Sequence, residues 1–354
     1  MSTWTGNKIK ISVFGQSHSK AIGVTFDGLK AGTAIDFAEV EALLARRRAG
    51  SDSFSTPRKE ADIPEFVSGI VDGKSCGASI TAIIENTNVK SSDYEKTKNL
   101  VRPSHADYAA HIKFGENYDY HGGGQFSGRM TAPICIAGGI AKGVLKEKGI
   151  KICAYVSEIG KKSFGSYEDE NFVPEFSGDA FALLSETQKE ELSAYFSELR
   201  KVGDSVGGII ECVVEGLSVG VGDALFGGLE GKIASLAYGV PAVKCVEFGA
   251  GKSIAKMLGS EANDSFFVEN GKIYTKTNNN GGINGGISNG MPITFRVAIK
   301  PTPSIGLPQN TVDLNTMQNA VLEIKGRHDV CIVPRAVPVI ESIAALAILD
   351  SIDD

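Results

Sequence analysis

No apolar run in this chain approaches the roughly 18 residues that cross a bilayer. The opening, MSTWTGNKIK, has no apolar stretch after its charges of the kind that marks a secretory signal. Paired Cys-x-x-Cys spacings are missing too. The six cysteines, Cys76, Cys135, Cys153, Cys212, Cys245 and Cys331, show no disulfide-like spacing and read as reduced, mostly buried thiols of a cytoplasmic protein. There is no HExxH, no paired Cys/His spacing and no EF-hand loop, so no metal is expected, and no GxSxG elbow carries a nucleophilic serine. Positive charge is not in excess. A net charge of −6 excludes a partner held by a general basic field, so no nucleic acid is expected. Any anionic ligand must therefore meet a local cluster of arginines and lysines.

What the chain has in quantity is glycine, 42 of 354 residues against an average of roughly 7%. With 42% hydrophobic and 22% charged residues the composition is that of a globular protein with a sizeable core. The glycines are dispersed in pairs, as suits tight turns and close backbone approach. The densest group is GGGQFSGRMT, residues 122–131. Gly123 and Gly128 have P-loop spacing, but Arg129-Met130 replaces the Lys-Ser/Thr pair and ENYDYH is no buried strand, which disfavours a phosphate-transferring kinase.

IKISVFG and AIGVTFDG read as strands on either side of a turn, and FVSGIVDGKSCGASITAIIEN carries two short ones. DFAEVEALLARRRAG reads as a helix: Asp36 and Glu39 make a capping box, Val40, Leu43 and Leu44 keep helical spacing, and Gly50 ends it. RPSHADYAAHIKFG is expected to be a helix with Ser104 as N-cap and Asp107 at its third position. SETQKEELSAYFSELRKVG repeats the capping pattern with Ser185 and Gln188. TAPICIAGGIAKGVLKEKG, KIASLAYG, NTMQNAVLEIKG and VPVIESIAALAILD are further expected helices; VGGIIECVVEG, AVKCVEFG and PITFRVAI are expected strands. Strands and helices mixed without strict alternation suggest an α+β layered fold. The strand–turn–helix order recurs loosely in the two halves with no repeat of residues, and no composition shift divides the chain, so one domain over 1–354 is expected. Long polar connections near 50–60, 116–128, 276–291 and 300–311 are candidates for function.

Of five histidines, His111 and His121 have no supporting pattern and read as surface residues. His18 lies in a turn, His105 at an expected helix start, where free N–H groups attract anions, and His328 in GRHDV. Arg46, Arg47 and Arg48 occupy the last turn of the first helix. The helix dipole accounts for at least one of them, and because they splay around the axis one or two at most can face a shared pocket. Lys325, Arg327, His328, Asp329 and Arg335 gather before an apolar helix. With KPTPSIG they suggest a phosphate-competent pocket in which Asp329 is available as a base. The residues alone point to an enzyme acting on a small, multiply anionic substrate.

FGQSHSKAIGVTFDGLKAG, LLARRRAG, TPRKEAD, RPSHADY, GGGQFSGRMTAP, GDSVGG, PAVKCVEFG, NNNGGINGGISNG, KPTPSI and GRHDVCIVPRAVPVIE, in this order, resemble the chorismate synthase family over nearly the whole chain. The resemblance implies a β-α-β sandwich, a cytoplasmic homotetramer, and conversion of 5-enolpyruvylshikimate 3-phosphate to chorismate by 1,4-anti elimination. That reaction belongs to the shikimate pathway of aromatic amino acid biosynthesis; it needs reduced FMN without net redox change, with NADPH a candidate reductant.

By position, His18 matches the family's histidine near the departing phosphate, and His105 the one assigned to flavin protonation. Asp329 matches the aspartate that helps remove the C6 proton. Gln125, Phe126 and Ser127 fall on the flavin loop, with further flavin contacts implied at Ala242, Gly285, Lys300, Pro301, Thr302, Pro303, Ser304 and Arg327. Arg47 falls on a position assigned to NADP. Arg48, Arg129 and Arg335 are the substrate-binding candidates, together facing a charge of about −3.5 to −4. The chain departs from the family at Gln16 and Ser19 (a glutamate and a glycine), Ser104 (a glycine), Gln125 (an arginine) and Ser53 (an arginine), and in KPTPS and GRHDV. The alternative reading is a flavin- or phosphate-binding relative that has lost turnover.

Overall fold

The computed structural model describes residues 2–48, 61–86, 98–167, 169, 178–324 and 329–353. Two five-stranded antiparallel sheets enclose a layer of helices. The first sheet contains β1 (Thr3–Thr5), β2 (Lys10–Phe14), β3 (Ala21–Asp27), β4 (Glu65–Ser68) and β5 (Ile80–Glu85), in the order β1-β2-β3-β5-β4. The second contains β6 (Lys151–Ile159), β7 (Lys162–Ser163), β8 (Gly208–Glu215), β9 (Val243–Phe248) and β10 (Ile293–Ile299), in the order β9-β10-β8-β6-β7. The principal helices are α1 (Phe37–Arg47), α2 (Asp107–Phe114), α3 (Thr131–Glu147), α4 (Glu186–Val202), α5 (Leu229–Gly239) and α6 (Val333–Ser351). Helix α3 lies on the first sheet, α6 and α5 on the second, and α3 packs along α6, with α1 against both. This is the expected β-α-β sandwich.

The loose recurrence between the halves has a structural form. The first half runs β2, β3, α1, β4, β5, α3 and the second β6, β8, α5, β9, β10, α6, with four strands in each taking the same sheet order: first, second, fourth, third. The burial patterns differ for a physical reason. In β5 every second residue is buried, because one face meets the helices and the other is partly open. In β6 residues 152–157 are buried without a break. The outer face of the second sheet is covered as well, with Tyr167 and Leu183 over Cys153, Tyr155 and Val213.

The helices sit close because α3 carries Ala-Gly-Gly at its middle. A Cβ on Gly138 would lie 2.1 Å from Ser342 Cβ of α6, and one on Gly139 2.5 Å from Val40 Cα of α1. Each glycine costs the helix about 1 kcal/mol in propensity, and in return three helix backbones meet. Contact on several sides also explains why α3 is buried nearly all round.

Two enclosed carboxylates tie the layers. Glu341 of α6 accepts a fork from Arg46 (2.9 and 2.7 Å), Lys142 Nζ at 2.7 Å and the Ala154 N–H of β6 at 3.0 Å. Burial pushes its pKa up, but Arg46 and Lys142 prevail and hold it below its ordinary value. Asp350, at the end of α6, accepts the N–H groups of Asn7, Lys8 and Ile9 at 3.0, 2.7 and 2.9 Å and pairs with Lys232 at 2.8 Å.

Capping is as expected in α4, where Ser185 and Gln188 form a full capping box, and half as expected in α1, where Asp36 accepts the Glu39 N–H but the Glu39 carboxylate turns to Lys142 instead of closing the box. The expected helix at NTMQNAVLEIKG is instead the second strand, Gln318–Leu322, of a hairpin with Gln309–Asp313. Asp313 Oδ1 accepts the N–H groups of Asn315 and Thr316, and Met317 has φ 54°, a left-handed turn that no helix continues. Four of the six cysteines are buried; Cys76 is the exposed exception. Burial pushes the Cys135 thiol up to about 11 and Cys153 up to about 12, consistent with inert core thiols.

Replacing Glu341 by alanine leaves Arg46 without its counter-charge and Lys142 with Glu39 alone, and is expected to cost about 3–5 kcal/mol in urea unfolding. Lys189→Ala, which removes an exposed pair with Glu186, should cost under about 1 kcal/mol. Since Glu341 and Asp350 are both held below their ordinary values, their contribution is full above about pH 4.5 and is lost as the pH falls below the native pKa values. An acid titration of Glu341→Ala should therefore be shallower than that of the parent.

Candidate functional site

Gly122, Gly123 and Gly124 have φ of 58°, 86° and 53°, a run that only glycine adopts readily. What lies against them explains the run. A Cβ on Gly122 would fall 2.3 Å from His18 Cε1, and one on Gly123 3.1 Å from His105 Nε2. Two histidines far apart in sequence thus meet consecutive residues of one loop. The loop is also tied to the His18 turn directly, by the Ser17 N–H to Gly124 O at 3.1 Å. Within that turn Ser19 Oγ accepts the Gln16 N–H at 2.8 Å and reaches the carbonyls of Gln16 and Ala21. Ser19 thereby closes the turn.

The expected start of α2 needs correction. The helix begins at Asp107, with no side-chain cap, and His105 lies in the turn before it. Ser104 is not a cap but a left-handed residue, φ 60°, a position suited to glycine and costing serine about 1 kcal/mol. The Asp107 carboxylate turns back instead. It accepts Arg102 N (3.0 Å), Nε (2.7 Å) and Nη2 (2.8 Å), and lies 2.6 Å from His105 Nδ1. Burial alone would raise the Asp107 pKa, but the bonds from Arg102 and His105 hold it well below the usual carboxylate range. An ionised carboxylate only accepts, so Nδ1 of His105 carries the proton and Nε2 is the edge turned to Gly123.

The three adjacent arginines diverge. Arg46 runs inward to Glu341, Arg48 ends α1, and Arg47 is buried with Nη1 on Asp62 at 2.7 Å, Nε on Thr131 Oγ1 at 3.0 Å and Nη2 on Gly128 O at 3.3 Å. In this arrangement it offers no exposed edge to a nucleotide. Asp62 also binds Arg129 Nη1, so one enclosed carboxylate joins two guanidinium groups. Burial, with Arg335 and Arg129 nearby, pushes the Arg47 pKa down against the pull of Asp62.

The network continues at both ends. Arg129 Nε donates to Asn86 Oδ1 at 3.1 Å, and Asn86 Nδ2 donates to Gln16 O and Ser19 O in the His18 turn. On the other side Arg335 donates from Nε to Arg47 O at 3.1 Å and pairs through Nη1 with Asp329 at 2.8 Å. Thr302 Oγ1 then reaches Asp329 O.

Most of the remaining expected residues border this network. Lys300 Nζ donates to Ser104 O, and its backbone N–H to Ala242 O at 3.0 Å. Burial and the nearby Lys244 lower the Lys300 pKa. Pro301 packs on Gly207, Pro303 O accepts Gln309 Nε2, and Ser304 is half-buried on the same loop. Ser127 Oγ accepts the Arg129 N–H, while Gln125 is exposed and the Phe126 ring stands at the rim, 38% exposed. Gly285 is set elsewhere, in the turn of a small hairpin whose neighbouring Gly286 touches Asp223 and Gly228. Arg327, with Lys325 and His328, lies outside the described residues.

Sequence reasoning missed Asp62, Asn86 and the true role of Asp107, and it placed His121 on the surface. His121 is half-buried beside His18, with ring centroids 6.2 Å apart. Asp62 stood within the quoted TPRKEAD, but a single aspartate carries no local signal of the arginines it will meet.

Gly122→Ala would place a methyl group onto His18 in a left-handed backbone. It is expected to displace the His18 imidazole, read as a change in its NMR resonance. Gly128→Ala meets nothing within 4 Å and should leave that resonance unmoved.

The chorismate synthase family model matches residues 9–352. A protein of Dehalococcoides mccartyi named chorismate synthase is 42% identical over 350 residues, covering 99% of this chain and 96% of the relative. One from Thermococcus kodakarensis with the same name is 45% identical over 347 residues, covering 98% and 96%. A solved structure, "Crystal Structure of Chorismate Synthase", superposes with TM-score 0.75 at 26% identity, covering 98% of this chain and 92% of the other. With the sequence match spanning almost every residue and the sandwich shared, the chain belongs to the chorismate synthase family, whose members are carbon–oxygen lyases acting on phosphates.

Proposed function

We propose that this chain converts 5-enolpyruvylshikimate 3-phosphate to chorismate, losing phosphate from C3 and a proton from C6, with reduced FMN as cofactor. The observation that carries the reading is the meeting of His18 and His105 on Gly122 and Gly123 of the loop assigned to the flavin. The residues around that loop fit such a cofactor: Phe126 presents a partly exposed ring to a flat heterocycle, and Lys300 supplies a cation for a phosphate. The chemistry supplied by bound reduced FMN is a transient electron, returned so that no net oxidation results.

The chain's own groups do the rest. His18 stands at the departing phosphate. His105, fixed by Asp107 with its proton on Nδ1, presents Nε2 as the atom that takes or returns a proton at the cofactor. Arg129 and Arg335 face the substrate's anionic groups with Arg48, and the Asp329 carboxylate, steadied by Arg335, assists removal of the C6 proton. Three guanidinium groups against Asp62 and Asp329 leave the network cationic, as a multiply anionic substrate requires. The continuous core supports a single domain, and exposed apolar residues such as Phe226 and Phe266 support assembly with further copies; the resemblance to the family makes that assembly a homotetramer and its place the cytoplasm. Light scattering checks the assembly.

Anaerobic incubation with 5-enolpyruvylshikimate 3-phosphate and chemically reduced FMN should yield phosphate and chorismate in step, with neither formed from oxidised FMN. Flavin binding with neither product would identify an inactive relative instead. Replacing the chemical reductant by NADPH tests whether the chain reduces its own flavin.

His18→Ala and His105→Ala are each expected to cut kcat by about 10²-fold or more in a folded protein. Asp107→Asn, which leaves the imidazole but releases its tautomer, should lower kcat more than it raises KM.

A further inference from the structure

His121 directly precedes the triple glycine, and its ring is held by two neighbours. Asp119 Oδ1 lies 2.7 Å from His121 Nδ1 and also accepts the His121 backbone N–H at 3.0 Å. Tyr120 stacks on the imidazole with centroids 4.2 Å apart and planes 25° from parallel. The carboxylate accepts, so Nδ1 donates and Nε2 lies on the opposite side of the ring. The arrangement parallels the other histidine of the loop, where Asp107 holds His105 Nδ1 at 2.6 Å. In both cases aspartate and histidine are two residues apart.

We propose that His121 is a third imidazole of the site, set by Asp119 and Tyr120 to bind the departing phosphate beside His18. This rests on the reading of His18 given above. An aspartate that merely closes a turn is satisfied by the backbone N–H; the second bond to Nδ1 and the stacked tyrosine orient a side chain. That side chain is 26% exposed, at the rim where a ligand can reach it. Its centroid lies 6.2 Å from that of His18, and the pair shares the Gly122 backbone, which has no room for a Cβ beneath His18. A phosphate monoester presents several acceptor oxygens. Two imidazoles at this spacing can each meet one, His121 through Nε2–H when its ring is protonated against Asp119. Such bonds strengthen as charge develops on the leaving group. His121 thereby stabilises departure and holds inorganic phosphate as product.

The test compares the parent with His121→Phe, which keeps an aromatic ring for Tyr120 but removes both nitrogens, and with Asp119→Asn, each checked for an unchanged thermal midpoint. His121→Phe is expected to lower kcat/KM for the phosphate ester by about 10- to 100-fold and to weaken product inhibition by inorganic phosphate at least fivefold, roughly. Asp119→Asn should lie between the two. Combined with His18→Ala, the loss should fall short of the product of the single losses, because both rings act on one group. Values of kcat/KM and phosphate inhibition within about twofold of the parent in an active enzyme would overturn the proposal.

A second measurement does not depend on turnover. Inorganic phosphate titrated into the full-length protein should shift the imidazole NMR signals of His18 and His121 together. Should the parent prove inactive, the elimination fails while this titration still decides: a shift at His121 upholds the phosphate site, and none overturns it.

Discussion

Glu341 sits wholly enclosed in α6, and three other elements must reach it: α1 through Arg46, α3 through Lys142 and β6 through the Ala154 N–H. An enclosed carboxylate left without these partners would cost several kcal/mol, so the helices can dock only in the arrangement that satisfies it. Gly138 and Gly139 supply the clearance that lets α3 approach closely enough. The docking then sets the phase of the arginine run. Once Arg46 is committed inward, Arg47 lies about 100° further round the helix, where it meets Asp62. The core ion cluster and the arginines of the candidate site are consecutive residues of one helix turn.

Asp62 is the counterpart of Glu341 at the site. It draws Arg47 and Arg129 onto one carboxylate, and from there contacts run through Asn86 to the His18 turn and through Arg335 to Asp329. Continuity of this kind means that the histidine end and the aspartate end are positioned by shared partners. The departures from the family pattern can be weighed against it. Ser19 closes its own turn, and Ser104 adopts the left-handed conformation that a glycine would take more easily. Gln125 is exposed and outside the network, so an arginine's loss there leaves the buried cations in place.

Much of the fold was legible because its signals are local. Asp36 and Glu39, Ser185 and Gln188, and the spacing of Val40, Leu43 and Leu44 act within one or two turns, and the helices they predict are present. The failures are instructive. NTMQNAVLEIKG has apolar residues at helix-compatible spacing, yet only Leu322 of its strand is buried, and a left-handed Met317 with the Asp313 turn decides for a hairpin. RPSHADY has the letters of a capping box, but Asp107 is taken by Arg102 and His105, so the helix starts later. His121 showed no pattern because an aspartate and a tyrosine before a histidine do not reveal in sequence that they will hold its ring, and its other neighbour, His18, is brought beside it only by the fold.

The sequence by itself determined the family, the layered class, most elements and the residue types of the site, since motifs, caps and periodicity are properties of neighbouring residues. It also established that anions must be met locally, because the net charge of −6 leaves no other means. Which charges meet was decided only by tertiary structure. Arg46 and Glu341 are separated by 295 positions, Asp62 and Arg129 by 67, and no local rule links them. Burial makes each pairing compulsory, because a charge removed from water must find a partner, and the partner it finds depends on how the helices dock between the sheets.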